Sequence, residues 1–201
     1  MKTLNFRFFL VLQFSLLLLS TGKLCAQSGL QRLDDQILIN LARSRTPEKT
    51  GFFMFLSKHN DVVNVGVPLG LLAAGTIADD KKMRQNALYV ASSSAVNALV
   101  TMLIKKVVKR PRPFLANVKI QAVYHPTHYS FPSGHTSTSF TTATAVSQAY
   151  PKWYVIVPSY LWAGSVSFSR LYLGVHYPTD VAAGALLGTG TAFSLRSMRP
   201  D

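Results

Sequence analysis

The stretch 62–78, which follows directly on Asp61 and contains no charged residue, constrains the fold of this chain more than any other. As a helix it comes close to crossing a bilayer core, because about 20 apolar residues span roughly 30 Å of hydrocarbon. The polar turn Asp79-Asp80-Lys81-Lys82-Met83-Arg84 ends it, and a second uncharged run, Ala87 to Ile104, follows, dense in Ala and Ser. Small residues let helices approach closely, so the two runs read as a helical hairpin. Three further helical segments follow: Thr136 to Tyr150, Trp153 to Phe168 and Val181 to Leu195, with Pro151-Lys152 breaking the first from the second. The Thr136 segment is rich in Ser and Thr and belongs in the bundle interior rather than against lipid. The expected fold is all-α, a membrane-embedded bundle of five core helices.

The N-terminus sets Lys2 and Arg7 before an apolar centre, Phe8 to Leu19, and a small-residue boundary near Ala26. That is the order of a secretory signal peptide over residues 1–26, leaving 27–201 as one domain. Removal of Lys2, Arg7 and Lys23 would lower the formal charge from +13 to +10, and would also remove Cys25, the single cysteine. A chain without thiols has no disulfide framework. Gly29 to Arg45 places Leu30, Leu33, Ile37, Leu38 and Leu41 at helical spacing, with Arg32, Asp34, Asp35 and Arg43 off that face. This reads as an amphipathic helix stopped at Thr46-Pro47. Phe52 to Leu56 extends the interfacial character, so 27–60 is expected to be interfacial and 61–201 the helical core.

Charge fixes an orientation. With the mature N-terminus outside, Lys81, Lys82, Arg84, Lys152, Arg196 and Arg199 all fall inside, as the positive-inside rule requires. Residues 105–135 and 169–180 then share the outer face. The cluster Lys105, Lys106, Lys109, Arg110 and Arg112 breaks the rule there, which suggests that these charges have a use.

Three segments on that face carry chemistry. Lys105 stands seven residues before Arg112, and Pro111 and Pro113 stiffen the path out of the helix. Pro132-Ser133-Gly134-His135 enters the third core helix, with Ser133 a natural N-cap and Gly134 giving a ligand close access to backbone amides. Ser169 to Asp180 adds Arg170, His176 and Asp180, the sole carboxylate between Lys81 and Pro200. Pro178 suits a first helical position, which puts Asp180 in the first turn, able to reach back to His176. A carboxylate on one imidazole nitrogen leaves the other as nucleophile or base. Three cations, a hydroxyl, free amides and two imidazoles suit one tetrahedral oxyanion such as phosphate. His125 and His128 read as loop residues, not a metal pair, and no base-reading motif points to nucleic acid.

These residues match a family. The chain resembles the type 2 phosphatidic acid phosphatase (PAP2) superfamily over roughly residues 60–197. That family's motifs, Lys-x6-Arg-Pro, Pro-Ser-Gly-His and Ser-Arg-x5-His-x3-Asp, stand complete and in order at Lys105 to Pro113, Pro132 to His135 and Ser169 to Asp180. The resemblance implies a phosphatase in which His176 attacks phosphorus, Asp180 holds its other nitrogen, and His135 protonates the leaving alkoxide and then activates water. It implies that Lys105, Arg112, Arg170, Ser133 and the Gly134 amide bind the phosphate, with Ser169 orienting Arg170 or the phosphate. It implies no cofactor and no metal, and the scarcity of carboxylates agrees with that. The expected partners are a phosphorylated lipid substrate and membrane lipids, with no obligate protein partner, at a bacterial inner membrane and with the site facing the periplasm. Competing readings are a soluble secreted acid phosphatase or vanadate haloperoxidase of the same superfamily, and a non-catalytic protein that binds anionic lipid.

Overall fold

The computed structural model describes residues 26–200, and the expected signal peptide falls outside them save for its last residue. In chain order the elements are α1 (Ala26–Arg43), α2 (Pro47–Ile77), α3 (Lys81–Val108), a short α4 (Pro113–Ala116), α5 (Gly134–Ala149), α6 (Trp153–Tyr172), α7 (Pro178–Ser194) and a 3-10 turn, Arg196–Met198. Among the described residues there is no strand. The architecture is the expected one, five core helices (α2, α3, α5, α6 and α7) preceded by an N-terminal helix.

Local chemistry sets the helix starts. The Thr46 side chain accepts the Lys49 amide hydrogen, and Pro47, whose missing N–H would have no partner in a first turn, begins α2. Asp80 does the same for α3, accepting from the Met83 amide at 2.9 Å. The sequence divides near residue 61, but the helix does not. Pro47–Ile77 is one continuous helix, so the segment read as interfacial, Phe52 to Leu56, belongs to the same helix as the uncharged run that follows it. Nothing between Thr50 and Asp61 interrupts the backbone hydrogen bonding, and Pro68 inside the helix is accommodated.

The bundle is polar within and apolar without. Helix α5 runs through the middle, packed on α2, α3, α6 and α7. Thr136, Ser137, Ser139, Thr141, Thr142 and Thr144 on it are all buried, as expected for that segment. Several of these hydroxyls bond back into their own helix, Ser139 to the His135 carbonyl at 2.8 Å and Thr141 to the Ser137 carbonyl at 2.7 Å, which limits the cost of burying them. Others bridge helices: Asn97 donates to Ser137 Oγ at 3.0 Å and Asn60 accepts from Ser139 Oγ at 2.5 Å. Outside, Val62, Leu69, Leu99, Leu103, Leu161 and Leu186 are each more than half exposed. An apolar belt around a polar interior inverts the water-soluble pattern and is the arrangement a lipid surround favours. Helix α2 and the helical segment that begins with α3 are long and apolar enough to cross a membrane.

Helix α1 departs from expectation on one face. Asp34, assigned to the polar side, is buried together with Leu38, while Leu30 and Leu33 point outward. The reason is electrostatic: Arg110 meets Asp34 at 3.0 Å, and this pairing turns the helix.

Close approach of α5 and α7 depends on glycine. A Cβ at Gly188 would lie 2.1 Å from the Ser137 carbonyl oxygen, and one at Gly184 2.7 Å from that of Ser133. Gly190, two residues beyond Gly188 and facing open space, has no such neighbour. Gly188→Ala should therefore destabilise the protein by about 1–3 kcal/mol, the usual cost of overpacking. In detergent its unfolding temperature should fall by several degrees while that of Gly190→Ala stays near wild type. Equal temperatures for the two variants would refute the tight α5–α7 crossing.

Candidate active site

The end of the bundle where α3, α5, α6 and α7 converge carries the reactive residues. Helix α6 stops at Tyr172, and Gly174 turns the chain at φ +72°, a left-handed conformation that L side chains rarely adopt. A Cβ there would also press on Arg45 Nη2 at 2.8 Å and the Gln121 carbonyl at 2.9 Å. His176 follows on this turn and is nearly fully buried. Pro178 then opens α7 and places Asp180 in its first turn, as expected.

The Asp180 carboxylate is held on both oxygens. Oδ2 accepts from Ser130 Oγ at 2.5 Å and the Tyr177 amide at 3.0 Å, and lies 3.5 Å from His176 Nδ1. Oδ1 accepts from Arg110 Nη1 at 2.7 Å. Ser130 Oγ is also 3.4 Å from His176 Nδ1, so that nitrogen points between a hydroxyl and a carboxylate. The other ring nitrogen, Nε2, faces Arg112 Nη1 at 3.3 Å. An arginine has no lone pair to offer, so Nε2 is the acceptor and Nδ1 carries the hydrogen.

Around this pair stand three cations. Arg112 donates to the carbonyls of Val175 and His128, both at 2.7 Å. Lys105 Nζ donates to the Tyr129 carbonyl at 2.7 Å and feels the charges of Arg112, Arg170 and Asp180. Arg170, 2% exposed, donates to Ser57 Oγ, lies 5.6 Å from the Tyr124 ring, and keeps a buried Nε with no protein acceptor. His135 enters from the start of α5, its ring against the Ser57 carbonyl and within reach of the Arg170, Arg112 and Asp61 charges. The pocket is therefore rich in positive charge, balanced at its centre by Asp180.

Two expected residues, Ser133 and Ser169, sit differently from their sequence reading, and Gly134 sits as expected. Ser133 is the N-cap residue of α5, but its hydroxyl meets Thr136 Oγ1 at 2.9 Å instead of capping. Its amide is given to the Asp180 carbonyl at 3.0 Å, which ties α5 to α7. Ser169 is fully buried and its hydroxyl donates to the Val166 carbonyl at 2.6 Å, inside its own helix. Gly134 begins α5 with ample space, its nearest outside neighbour being Thr101 at 3.9 Å. Lys106 and Lys109 face solvent, His125 packs edge-on against Phe114, and the exposed His128 contributes its carbonyl. The sequence offered no signal for Ser130 or Ser57, and it marked Arg110 only as one of a basic cluster that has a use.

A groove of about 420 Å³ lies between α2 and α3, lined mostly by apolar residues including Val65, Pro68, Leu69 and Leu88. Asp61 and Thr138 mark its polar side, and Thr138 is one turn from His135.

Helices polar within and apolar without, closing at one end on a basic pocket with a carboxylate-held imidazole, make this a membrane protein shaped to hold an oxyanion. The chain belongs to the PAP2 superfamily, whose family model matches residues 86–201. An undecaprenyl-diphosphatase of Sulfolobus acidocaldarius is 34% identical over 71% of this chain and 67% of its own length. A putative undecaprenyl-diphosphatase of Escherichia coli is 31% identical over 75% and 74%. The fold is that of a transmembrane PAP2-type phosphatidylglycerolphosphate phosphatase from Bacillus subtilis, with TM-score 0.74 and 22% identity over 95% of this chain and 94% of that one. The protein is a phosphoric ester hydrolase.

Burial pushes the His176 imidazole down from 6.5 to about 3; Arg170 and Arg112 act in the same direction, and Asp180 opposes them. His176 is thus neutral at physiological pH, with its Nε2 lone pair available. Between these two values the unfolded chain binds a proton that the folded chain does not, so stability rises with pH across this window. It is fully present above about pH 6.5 and is lost toward pH 3, at up to about 1.4 kcal/mol per pH unit. Thermal unfolding in detergent from pH 7 to pH 4 should therefore show a steeper acid decline for wild type than for His176→Gln. Parallel profiles would contradict a neutral, buried His176.

Proposed function

We propose that the protein is a multi-pass lipid phosphatase of a bacterial inner membrane, hydrolysing a lipid phosphate monoester or diphosphate from the exterior face without a metal ion. On this reading residues 1–26 are a cleaved signal and 27–201 one catalytic domain. The observation that carries it is the polarisation of His176: Nδ1 toward Asp180 and Ser130, and Nε2 toward Arg112, among three cations. That nitrogen attacks phosphorus and forms a phosphohistidine, while His135 donates a proton to the leaving oxygen. His135 then takes a proton from the water that cleaves the P–N bond, restoring free His176 and releasing phosphate. Asp180 stabilises the positive charge that His176 develops as the P–N bond forms. Lys105, Arg112 and Arg170, with the Gly134 amide at the start of α5, stabilise the equatorial oxygens of the transition state. Ser133 and Ser169 support this pocket by holding α5 and the Arg170-bearing end of α6 in place.

Several observations support a lipid substrate. The apolar groove between α2 and α3 has room for hydrocarbon and ends one turn from His135. The relatives from Sulfolobus and Escherichia are named for undecaprenyl diphosphate, and a 60-residue match in Bacteroides thetaiotaomicron, 42% identical, is named lipid A 4'-phosphatase. The charge pattern supports the orientation, since Lys81, Lys82, Arg84, Lys152 and Arg196 lie at the end opposite the pocket. The outward apolar belt weighs against a soluble acid phosphatase.

The test is phosphate release by detergent-purified protein, with EDTA, from phosphatidic acid, phosphatidylglycerophosphate, undecaprenyl diphosphate, lipid A and p-nitrophenyl phosphate. A lipid should be preferred, and EDTA should change nothing. His176→Ala should lose all measurable turnover. Asp180→Asn should be about 10²–10⁴-fold slower while still binding phosphate, as when a triad loses its orienting carboxylate. Turnover by His176→Ala equal to wild type would sink the mechanism, and loss of activity in EDTA would sink its metal independence. Anionic-lipid binding without turnover would favour the binding-protein reading.

A further inference from the structure

We infer that Asp34, on α1 and outside the segment that defines the family, is a positioning residue for the His176–Asp180 pair, acting through Arg110. The inference rests on the catalytic reading of His176.

Arg110 lies just past the C-cap of α3, where Lys109 takes a left-handed φ of +50° and turns the chain back over the site. Its guanidinium is a four-way junction. Nη1 donates to Asp180 Oδ1 and Thr179 Oγ1, each at 2.7 Å. Nη2 donates to Asp34 Oδ2 at 3.0 Å and Gln31 Oε1 at 2.9 Å. Its plane is seated on the Tyr177 ring, 3.9 Å from the centroid. Asp34 also accepts the Thr179 amide at 3.1 Å and the Thr179 hydroxyl at 2.5 Å, so α1 supplies the acceptor for a donor at the start of α7. Both carboxylates are buried.

An arginine beside one carboxylate prefers a two-pronged pair that occupies both oxygens. Here that would be harmful, because Oδ2 must stay turned toward Ser130, the Tyr177 amide and His176 Nδ1, the last already 3.5 Å away. Asp34 prevents it by holding the second prong of the guanidinium, which confines Arg110 to Oδ1. The three charges sum to one negative, so a full negative charge remains to stabilise His176 as the P–N bond forms. Without Asp34, Arg110 would neutralise Asp180 and draw it off the imidazole.

The experiment uses the full chain in detergent, with the member of the five-substrate panel that wild type turns over fastest. Asp34→Asn keeps the shape and an acceptor for the Thr179 amide but removes the charge. We expect kcat to fall about 10–100-fold, in the range seen when an orienting partner is lost. KM should stay within about twofold and the unfolding temperature near wild type. Arg110→Lys, which retains a charge but not the fork, should lower kcat likewise, and it serves as the test if Asp34→Asn fails to fold. On an Asp180→Asn background, Asp34→Asn should cost little more, because the two act as one unit. Wild-type kcat in Asp34→Asn or Arg110→Lys, or a fully multiplicative loss on the Asp180→Asn background, would overturn the inference. Failure of the catalytic reading looks different: there, wild type itself is inert or His176→Ala matches it.

Discussion

The structure turns on one desolvated carboxylate. Asp180 receives Arg110, Ser130 and the Tyr177 amide, and its own carbonyl receives the Ser133 amide. One residue thus joins the loop after α3, the loop before α5, the turn after α6 and the start of α7. A buried carboxylate without partners would cost several kcal/mol, so these segments gain their relative positions by satisfying it. The imidazole that needs orienting is held in the same act. Fold and site are specified by a common set of hydrogen bonds, and a change that disturbs one disturbs the other.

The bundle that carries this site solves a different problem. Lipid gives helices no hydrophobic reason to associate, so contact depends on close backbone approach and on polar groups that find partners only in one another. Gly184 and Gly188 provide the first at the α5–α7 crossing, and Asn60, Asn97, Ser137 and Ser139 the second. The same polar interior brings α5 into the middle, where its N-terminus presents Gly134 and His135 to the pocket. A Leu-rich α5 would have faced lipid and removed the amides from the site.

Much of this was legible in the sequence. Uncharged runs gave the helices, Ser and Thr density gave α5 its interior place, and the spacing from Ser169 to Asp180 gave the turn that brings His176 and Asp180 together. These are local patterns whose meaning follows from periodicity and capping. The continuity of α2 through Phe52 to Leu56 was hidden because aromatic residues read equally as interface or as helix. Ser130 and Ser57 were hidden because a serine in a loop or a helix has no pattern; each matters through partners at 180 and 170, distant in the chain. Asp34 was misplaced for a related reason. An amphipathic reading assigns a carboxylate to the polar side, and only Arg110, far along the chain, makes burial favourable.

The basic cluster after α3 illustrates how topology and chemistry constrain each other. Lys105, Arg110 and Arg112 turn inward onto carbonyls, Asp34 and Asp180, whereas Lys106 and Lys109 face solvent. On the proposed orientation, most of the charge that offends the positive-inside rule is therefore engaged in the pocket rather than displayed. The opposite end keeps Lys81, Lys82 and Lys152 in its connections. Arg110, paired with two carboxylates, carries little net charge to resist placement on the outer face, and the carbonyl partners of Lys105 and Arg112 replace part of their hydration. The site's own hydrogen bonds thus reduce the topological penalty of building a phosphate pocket there. Removing the Asp34 or Asp180 charge would leave Arg110 uncompensated and, by the same electrostatics, weaken the preference of this end for the exterior.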